Sequence, residues 1–196
     1  MSWNSKTPGI PDEFFLRSEE IPITKEEVRS IIISKLRLNE NYSVIDIGCG
    51  SGSITVELCL QCRNGKVFGI DLDPKAIDLT KTNLEKFKVI AEIIKGDAYD
   101  ILESLPSVDG IVIGGTTGKT EAIIHRSINK LNKGGRLVIT TILIETMFKS
   151  MEALNKSHNI KEIDFTQVTI SKGRRTKTGT MMLSRNPVLL ISATKI

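Results

Sequence analysis

The chain has 196 residues, 40% of them hydrophobic and 26% charged, ordinary proportions for a globular chain with a sizeable core. No apolar run approaches the ~18 residues of a membrane span, and no basic segment followed by an apolar one resembles a secretory leader, so neither a membrane protein nor a secreted one is expected. The net charge of +4 is local: Lys172, Arg174, Arg175, Lys177, Arg185 and Lys195 follow Asp164 with no further carboxylate side chain, leaving 21 bases against 23 acids elsewhere.

Residues 1–23 hold three of the six prolines and show no periodicity, which predicts an irregular arm ahead of a single domain over 24–196. Thr24-Lys25-Glu26-Glu27 has the form of a capping box, with Thr24 as N-cap and Glu27 reaching back. Val28, Ile31, Ile32 and Leu36 then share one helical face. A first strand is expected over about 43–47, followed by a glycine turn and a helix with Ile54, Leu58 and Cys62 toward the sheet. The second strand, 66–70, ends at Asp71. Asp73 caps the next helix and Pro74 opens it. Strand three is placed at 90–95, strand four at 108–114, a helix at 119–131, and Gly134-Gly135 break the chain before strand five at 136–144. A helix near 145–157 precedes two final strands near 160–171 and 179–193, joined by a loop that carries the basic cluster. This alternation predicts an α/β fold of Rossmann-like form: a seven-stranded, mostly parallel sheet with an antiparallel pair at its C-terminal end and helices on both faces.

The stretch Val44-Ile45-Asp46-Ile47-Gly48-Cys49-Gly50-Ser51-Gly52-Ser53 carries most of the functional signal. A strand running into Gly-x-Gly-x-Gly and then a helix is where an open α/β sheet binds a nucleotide-like cofactor. A dinucleotide fold usually wants its third glycine where Ser53 stands. Asp46, two residues before the first glycine, suits an ammonium group or the turn backbone and would repel a pyrophosphate. Both features favour S-adenosylmethionine. Asp71 lies 23 residues past Gly48, near the ~20 expected of a ribose-binding acid. Asp97 can accept from an adenine amino group while Ala98 offers its backbone N–H to the ring, although a helix cap is nearly as good a reading of the Asp97 side chain. Gly114-Gly115 would let the backbone approach a methyl donor, or form a plain turn.

Other features carry less. Cys59 and Cys62, three apart on a helix, read as core. With His125 and His158 far away and without ligand spacing, no metal is expected. An odd number of cysteines in a chain this size suits reduced thiols and a cytoplasmic location. No nucleophile–base pair is evident. Arg174, Arg175 and Arg185 are candidates for holding carboxylates or phosphates, against the alternative of a solvated charged hairpin. Glu145, just past strand five, can face the site or cap the next helix. Aromatics interleaved with the bases, as single-stranded RNA binding would want, are missing apart from Phe165.

The chain resembles the decarboxylating precorrin methyltransferases of cobalamin biosynthesis, and among them the small stand-alone enzymes that methylate carbon 15 of cobalt-precorrin-6B. The likeness rests on Ile10-Pro11-Asp12-Glu13-Phe14, the Thr24–Arg29 helix start, Gly48–Gly52, Gly96-Asp97-Ala98, Leu137–Phe148 and Gly179–Pro187. It implies S-adenosylmethionine as cofactor, bound by Thr24, Gly48, Cys49, Gly50, Ser51, Gly52, Asp71 and Ala98. It also implies an anionic tetrapyrrole substrate, loss of the ring C acetate carboxyl, and a homotetramer that the final strands help to assemble. Residues 1–9 resemble an extension, and Thr116-Thr117-Gly118 replaces a stretch richer in glycine and serine. Rival readings are a tRNA base methyltransferase and a non-catalytic module that binds S-adenosylmethionine. A nicotinamide dehydrogenase fits poorly, lacking a Tyr-x-x-x-Lys proton donor.

Overall fold

The structure is a computed structural model and describes residues 3–196. After a short 3-10 helix, Asp12–Phe14, come α1 (Glu26–Leu36), β1 (Val44–Ile47), α2 (Ser53–Gln61), β2 (Val67–Asp71), α3 (Pro74–Phe87), β3 (Glu92–Lys95), α4 (Ala98–Ser104), β4 (Val108–Ile113), α5 (Thr120–Lys130), β5 (Leu131–Thr141) and α6 (Ile144–Lys156). Four strands follow without a helix: β6 (Ile160–Val168), β7 (Ser171–Arg175), β8 (Thr180–Ser184) and β9 (Val188–Lys195).

Seven strands form one sheet in the order β3-β2-β1-β4-β5-β9-β6, parallel except where β9 runs antiparallel between β5 and β6. The helical connections place the carboxyl ends of β1 to β5 on one edge, and all four residues of β1 are buried because layers cover both faces. One core layer packs Ile45, Ile47, Ile111 and Ile113 against α4, α5 and α6; the other packs Val44, Val112 and Val138 against α1, α2 and α3. Among the described residues, no helix is long and apolar enough to cross a membrane.

The arm is more than an irregular leader, because it is sewn to α1 and α2 by a buried guanidinium. Arg29 is fully buried; its Nε donates to Glu57 Oε1 at 2.8 Å and Nη1 to Asp12 Oδ1 at 2.8 Å. The same group donates to the carbonyls of Thr24 and Ile10, and Phe15 lies over its Cζ at 4.8 Å. Glu57 in turn accepts from the N–H groups of Gly9 and Ile10, at 2.9 and 3.1 Å. Because the arm covers the outer face of α2, residues Ser53 to Cys59 are all buried, a wider face than Ile54, Leu58 and Cys62.

Several sequence expectations change in detail. The capping box does not form: α1 starts at Glu26, its N-cap is Lys25 with no side-chain cap, and Glu27 pairs with Lys172 at 2.5 Å instead. The buried face of α1 includes Arg29 and Ile33, while Ile31 is only partly covered, because Arg29 must reach the arm. Strand β5 starts at Leu131 and runs through Gly134-Gly135, its register on β4 shifting between Val108 and Gly110. Each of the two final strands is broken in two: β6 and β9 stay in the sheet, while β7 and β8 leave it as a separate hairpin. The basic cluster therefore lies largely on strand β7 and not in a loop. The hairpin is exposed except at half-buried Lys172, which bridges Glu26 at 2.6 Å and Glu27.

Removing Arg29 leaves Glu57 buried without its cation and Asp12 with only Lys25, 3.5 Å away, a change that costs about 3–5 kcal/mol. Arg29→Met is expected to lose that much in urea unfolding and to open residues 3–15 to protease; wild-type values for both would show that the arm docks without it.

Candidate active site

The glycine turn sits where β1 meets α2. Gly48 has φ 74° and Gly52 φ 75°, values that side chains resist. A Cβ on Gly48 would stand 2.9 Å from the Gly115 nitrogen, and one on Gly52 would stand 2.9 Å from Thr80 Cα. Gly48 thus permits close approach of the β1 and β4 ends, and Gly52 permits close packing of α3. The turn is fixed from outside by Thr80 Oγ1 to the Gly50 carbonyl at 2.9 Å and by Asn83 Nδ2 to the Ser51 carbonyl at 2.8 Å.

Asp71 ends β2 beside this turn. Its Oδ2 accepts from the Gly50 N–H at 2.8 Å and its Oδ1 from the Asp73 N–H at 3.0 Å, leaving each oxygen one further lone pair for a diol. Asp73 caps α3 through the Lys75 N–H, with Pro74 at the first helical position, as expected. Asp97 takes the capping alternative: it accepts from the Tyr99 N–H at 2.9 Å and from Lys119 Nζ at 2.7 Å, and the Lys119 bond, then the Tyr99 bond, hold its carboxyl below the ordinary value. Ala98 opens α4, so its N–H is one that the helix cannot itself satisfy.

Asp46 lies beneath the turn and lines none of the clefts at this edge. It is fully buried, accepts from Thr55 Oγ1 at 2.6 Å, and its Oδ1 has no partner among the described residues. Burial, with the nearby Asp71 charge adding to it, pushes its carboxyl up to about 7. Through Thr55 it joins β1 to α2.

Three clefts meet at the Gly48–Gly115 approach. The first, about 280 Å³, is walled by Gly48, Gly50, Asp71, Gly96–Ala98, Gly115 and Thr117, with Glu20, Ile21 and Pro22 of the arm across it. The second, about 320 Å³, takes in Thr24, Lys25, Cys49, Ser51, Gly114 and Thr140 to Ile142. The third, about 380 Å³, runs from Ile113 to Gly118 and from Ile139 to Lys149, including Glu145. Gly48, Cys49, Gly50, Ser51, Asp71, Asp97, Ala98, Thr24 and Glu145 are therefore brought to one edge. Arg174, Arg175 and Arg185 line none of the three clefts. The arm wall and the threonines 140, 141 and 146 were not singled out in the sequence. For the threonines the signal was there, since Thr140 and Thr141 end β5 on the edge that binds ligands.

A larger cavity, about 570 Å³, lies at the opposite edge around Cys59, Cys62, Arg63 and Lys88. Its thiols, like that of Cys49, are pushed up to about 12, chiefly by burial.

A seven-stranded sheet of this order, with a glycine turn after β1, an acid ending β2 and a backbone pair ending β3, defines a class I methyltransferase of Rossmann-like fold. More narrowly, the chain belongs to the precorrin methyltransferase domain family, which it matches over residues 15–195. It is 49% identical over the full length of both chains to the "Probable cobalt-precorrin-6B C(15)-methyltransferase (decarboxylating)" of Saccharolobus solfataricus. Its structure is similar to the crystal structure of precorrin 8W decarboxylase from Methanobacterium thermoautotrophicum, with TM-score 0.89 and 36% identity over 95% of this chain and 100% of that one. It is also similar to the precorrin-6y C5,15-methyltransferase from Geobacter metallireducens, with TM-score 0.89 and 31% identity over 97% and 98%.

Asp46 ordinarily titrates at 3.8 and here at about 7, so the folded chain holds a proton there that the unfolded chain has released. Its contribution to stability is full below pH 4 and falls as pH rises toward 7. Asp46→Asn keeps an acceptor for Thr55 and removes the titration. Urea midpoints measured from pH 4 to 8 should show the wild type losing stability relative to the variant across that window; parallel curves would mean that Asp46 is not buried as described.

Proposed function

We propose that this chain is an S-adenosylmethionine-dependent methyltransferase that methylates ring carbon 15 of cobalt-precorrin-6B and removes the carboxyl of the ring C acetate. The observation that carries the reading is the convergence of the β1 turn, Asp71 and Ala98 on one cleft, in a chain whose full-length relative is named for this reaction. The donor set fits the cofactor: Asp71 keeps two lone pairs for the ribose hydroxyls, Ala98 keeps a backbone N–H for the purine, and Gly50 presents no side chain to the cleft.

Bound S-adenosylmethionine supplies an electrophilic methyl group on a positively charged sulfur. The chain supplies placement. Gly48, Gly114 and Gly115 present only backbone where the clefts meet, and Thr117 stands where the first and third join. Ile21 and Pro22 line the first cleft opposite the glycine turn. Among the described residues no histidine lines the clefts, and Asp97 is held by Lys119 and the Tyr99 N–H, in keeping with an electron-rich ring carbon that needs orientation more than proton transfer. Orientation of two reactants contributes up to about 7–11 kcal/mol.

The substrate's many carboxylates suit the basic hairpin, whose Arg174 and Arg175 are exposed, and Arg185 at its end. The hairpin also suits assembly of copies of this chain into a homotetramer. A two-stranded ribbon is marginal by itself, and Met181, Met182 and Leu183 face solvent.

Two experiments test the reading. Incubation with labelled S-adenosylmethionine and cobalt-precorrin-6B should yield a product with one methyl gained and one carboxyl lost; an unchanged mass sinks it. Asp71→Ala should weaken S-adenosylmethionine binding by roughly a hundredfold or more in calorimetry, the value of two hydrogen bonds to a charged acceptor. Undiminished affinity would move the cofactor elsewhere.

A further inference from the structure

The third cleft carries a cation that none of the described residues neutralises. Lys149 lies on α6 at its wall, and among the described residues it has no ion-pair or hydrogen-bond partner. Glu145, one turn earlier on the same helix, does not pair with it. Lys35, Lys119, Lys156 and Lys172 each have a carboxylate within 2.7 Å. Lys149 is exposed at the cleft wall, so its three donors are open to solvent or to a ligand that enters the cleft.

Hydroxyl groups gather on the same cleft. Thr117, Thr140, Thr141 and Thr146 line it, and Thr117 also lines the first cleft, so it stands where the two join. Its backbone is in the left-handed region, with φ 46°, which a β-branched side chain strongly resists. Gly118 next to it provides an ordinary turn residue at φ 85°, so the turn itself does not require threonine. Strain of this kind persists where a side chain must be held in one place.

We propose that Lys149 and Thr117 form a carboxylate-binding subsite that takes one acidic arm of the tetrapyrrole and fixes the ring against the passage at Gly115. The ammonium group is a compact charge on a flexible stem, suited to an arm that enters from solvent. The threonine hydroxyl, held at the junction, sets how far the arm can travel toward the first cleft. This deepens the reading of the previous subsection and rests on it.

Initial rates with cobalt-precorrin-6B and S-adenosylmethionine test the subsite in the wild type, Lys149→Ala, Lys149→Arg and Thr117→Gly. Lys149→Ala should raise the tetrapyrrole KM about tenfold, the value of one charged hydrogen bond, with kcat changed less than about twofold. Lys149→Arg should recover most of that loss. Calorimetric affinity for S-adenosylmethionine and the melting temperature should match wild type in both lysine variants. Thr117→Gly should melt no lower than wild type, because its turn is relaxed, yet lose kcat/KM for the tetrapyrrole. A wild-type KM in Lys149→Ala, or a loss shared equally by cofactor affinity, overturns the subsite and leaves the methyltransferase reading standing. No methyl transfer by the wild type overturns both.

Discussion

The buried guanidinium of Arg29 is the constraint on which the working edge depends. A charge removed from water must find partners on all sides, and Arg29 finds them on two parts of the chain: Asp12 and the Ile10 and Thr24 carbonyls of the segment before α1, and Glu57 of α2. Satisfying that one group fixes where the arm runs. Its course then brings Ile21 and Pro22 across the first cleft and sets Thr24 in the second. An arm packed by apolar contacts alone would have more freedom to slide, whereas hydrogen bonds to a planar fork fix both position and register.

The glycine turn and the arm divide the work. The turn lets two strand ends approach so closely that no side chain fits between Gly48 and Gly115. The arm closes one side of that approach and leaves the other open. The first cleft is built from residues 20–123 and the third from residues 113–149, with the overlap confined to the end of β4, the loop that follows it and the start of α5. The first and third clefts are thus encoded by successive stretches of chain that meet at one seam.

The sheet was legible because its signals are local: an apolar run, a glycine turn, a capping aspartate before a proline. Asp73 and Pro74 behave as their types predict because nothing distant competes for them. Thr24 and Glu27 do not, because a lysine 145 residues beyond Glu27 offers that glutamate a stronger partner than the helix end does. Asp46 was legible as important and not as buried, since burial depends on Thr55 and on the layers above and below β1. The hairpin was hidden for a similar reason: β7 and β8 continue the residue pattern of the strands beside them, and only the geometry of the sheet edge makes them leave it. Lys149 gave no signal at all, because a solvated helix face and a binding cation look alike until the cleft beneath is seen.

Cys49 stands in the turn itself, on the wall of a cleft proposed to border a methyl donor. A thiolate in that place would be a suicide nucleophile, since sulfur anions attack sulfonium carbon readily. Burial pushes its titration up to about 12, which keeps the thiolate scarce at neutral pH. Burial thereby keeps the Cys49 thiol protonated, and so a weak nucleophile, beside the proposed methyl donor.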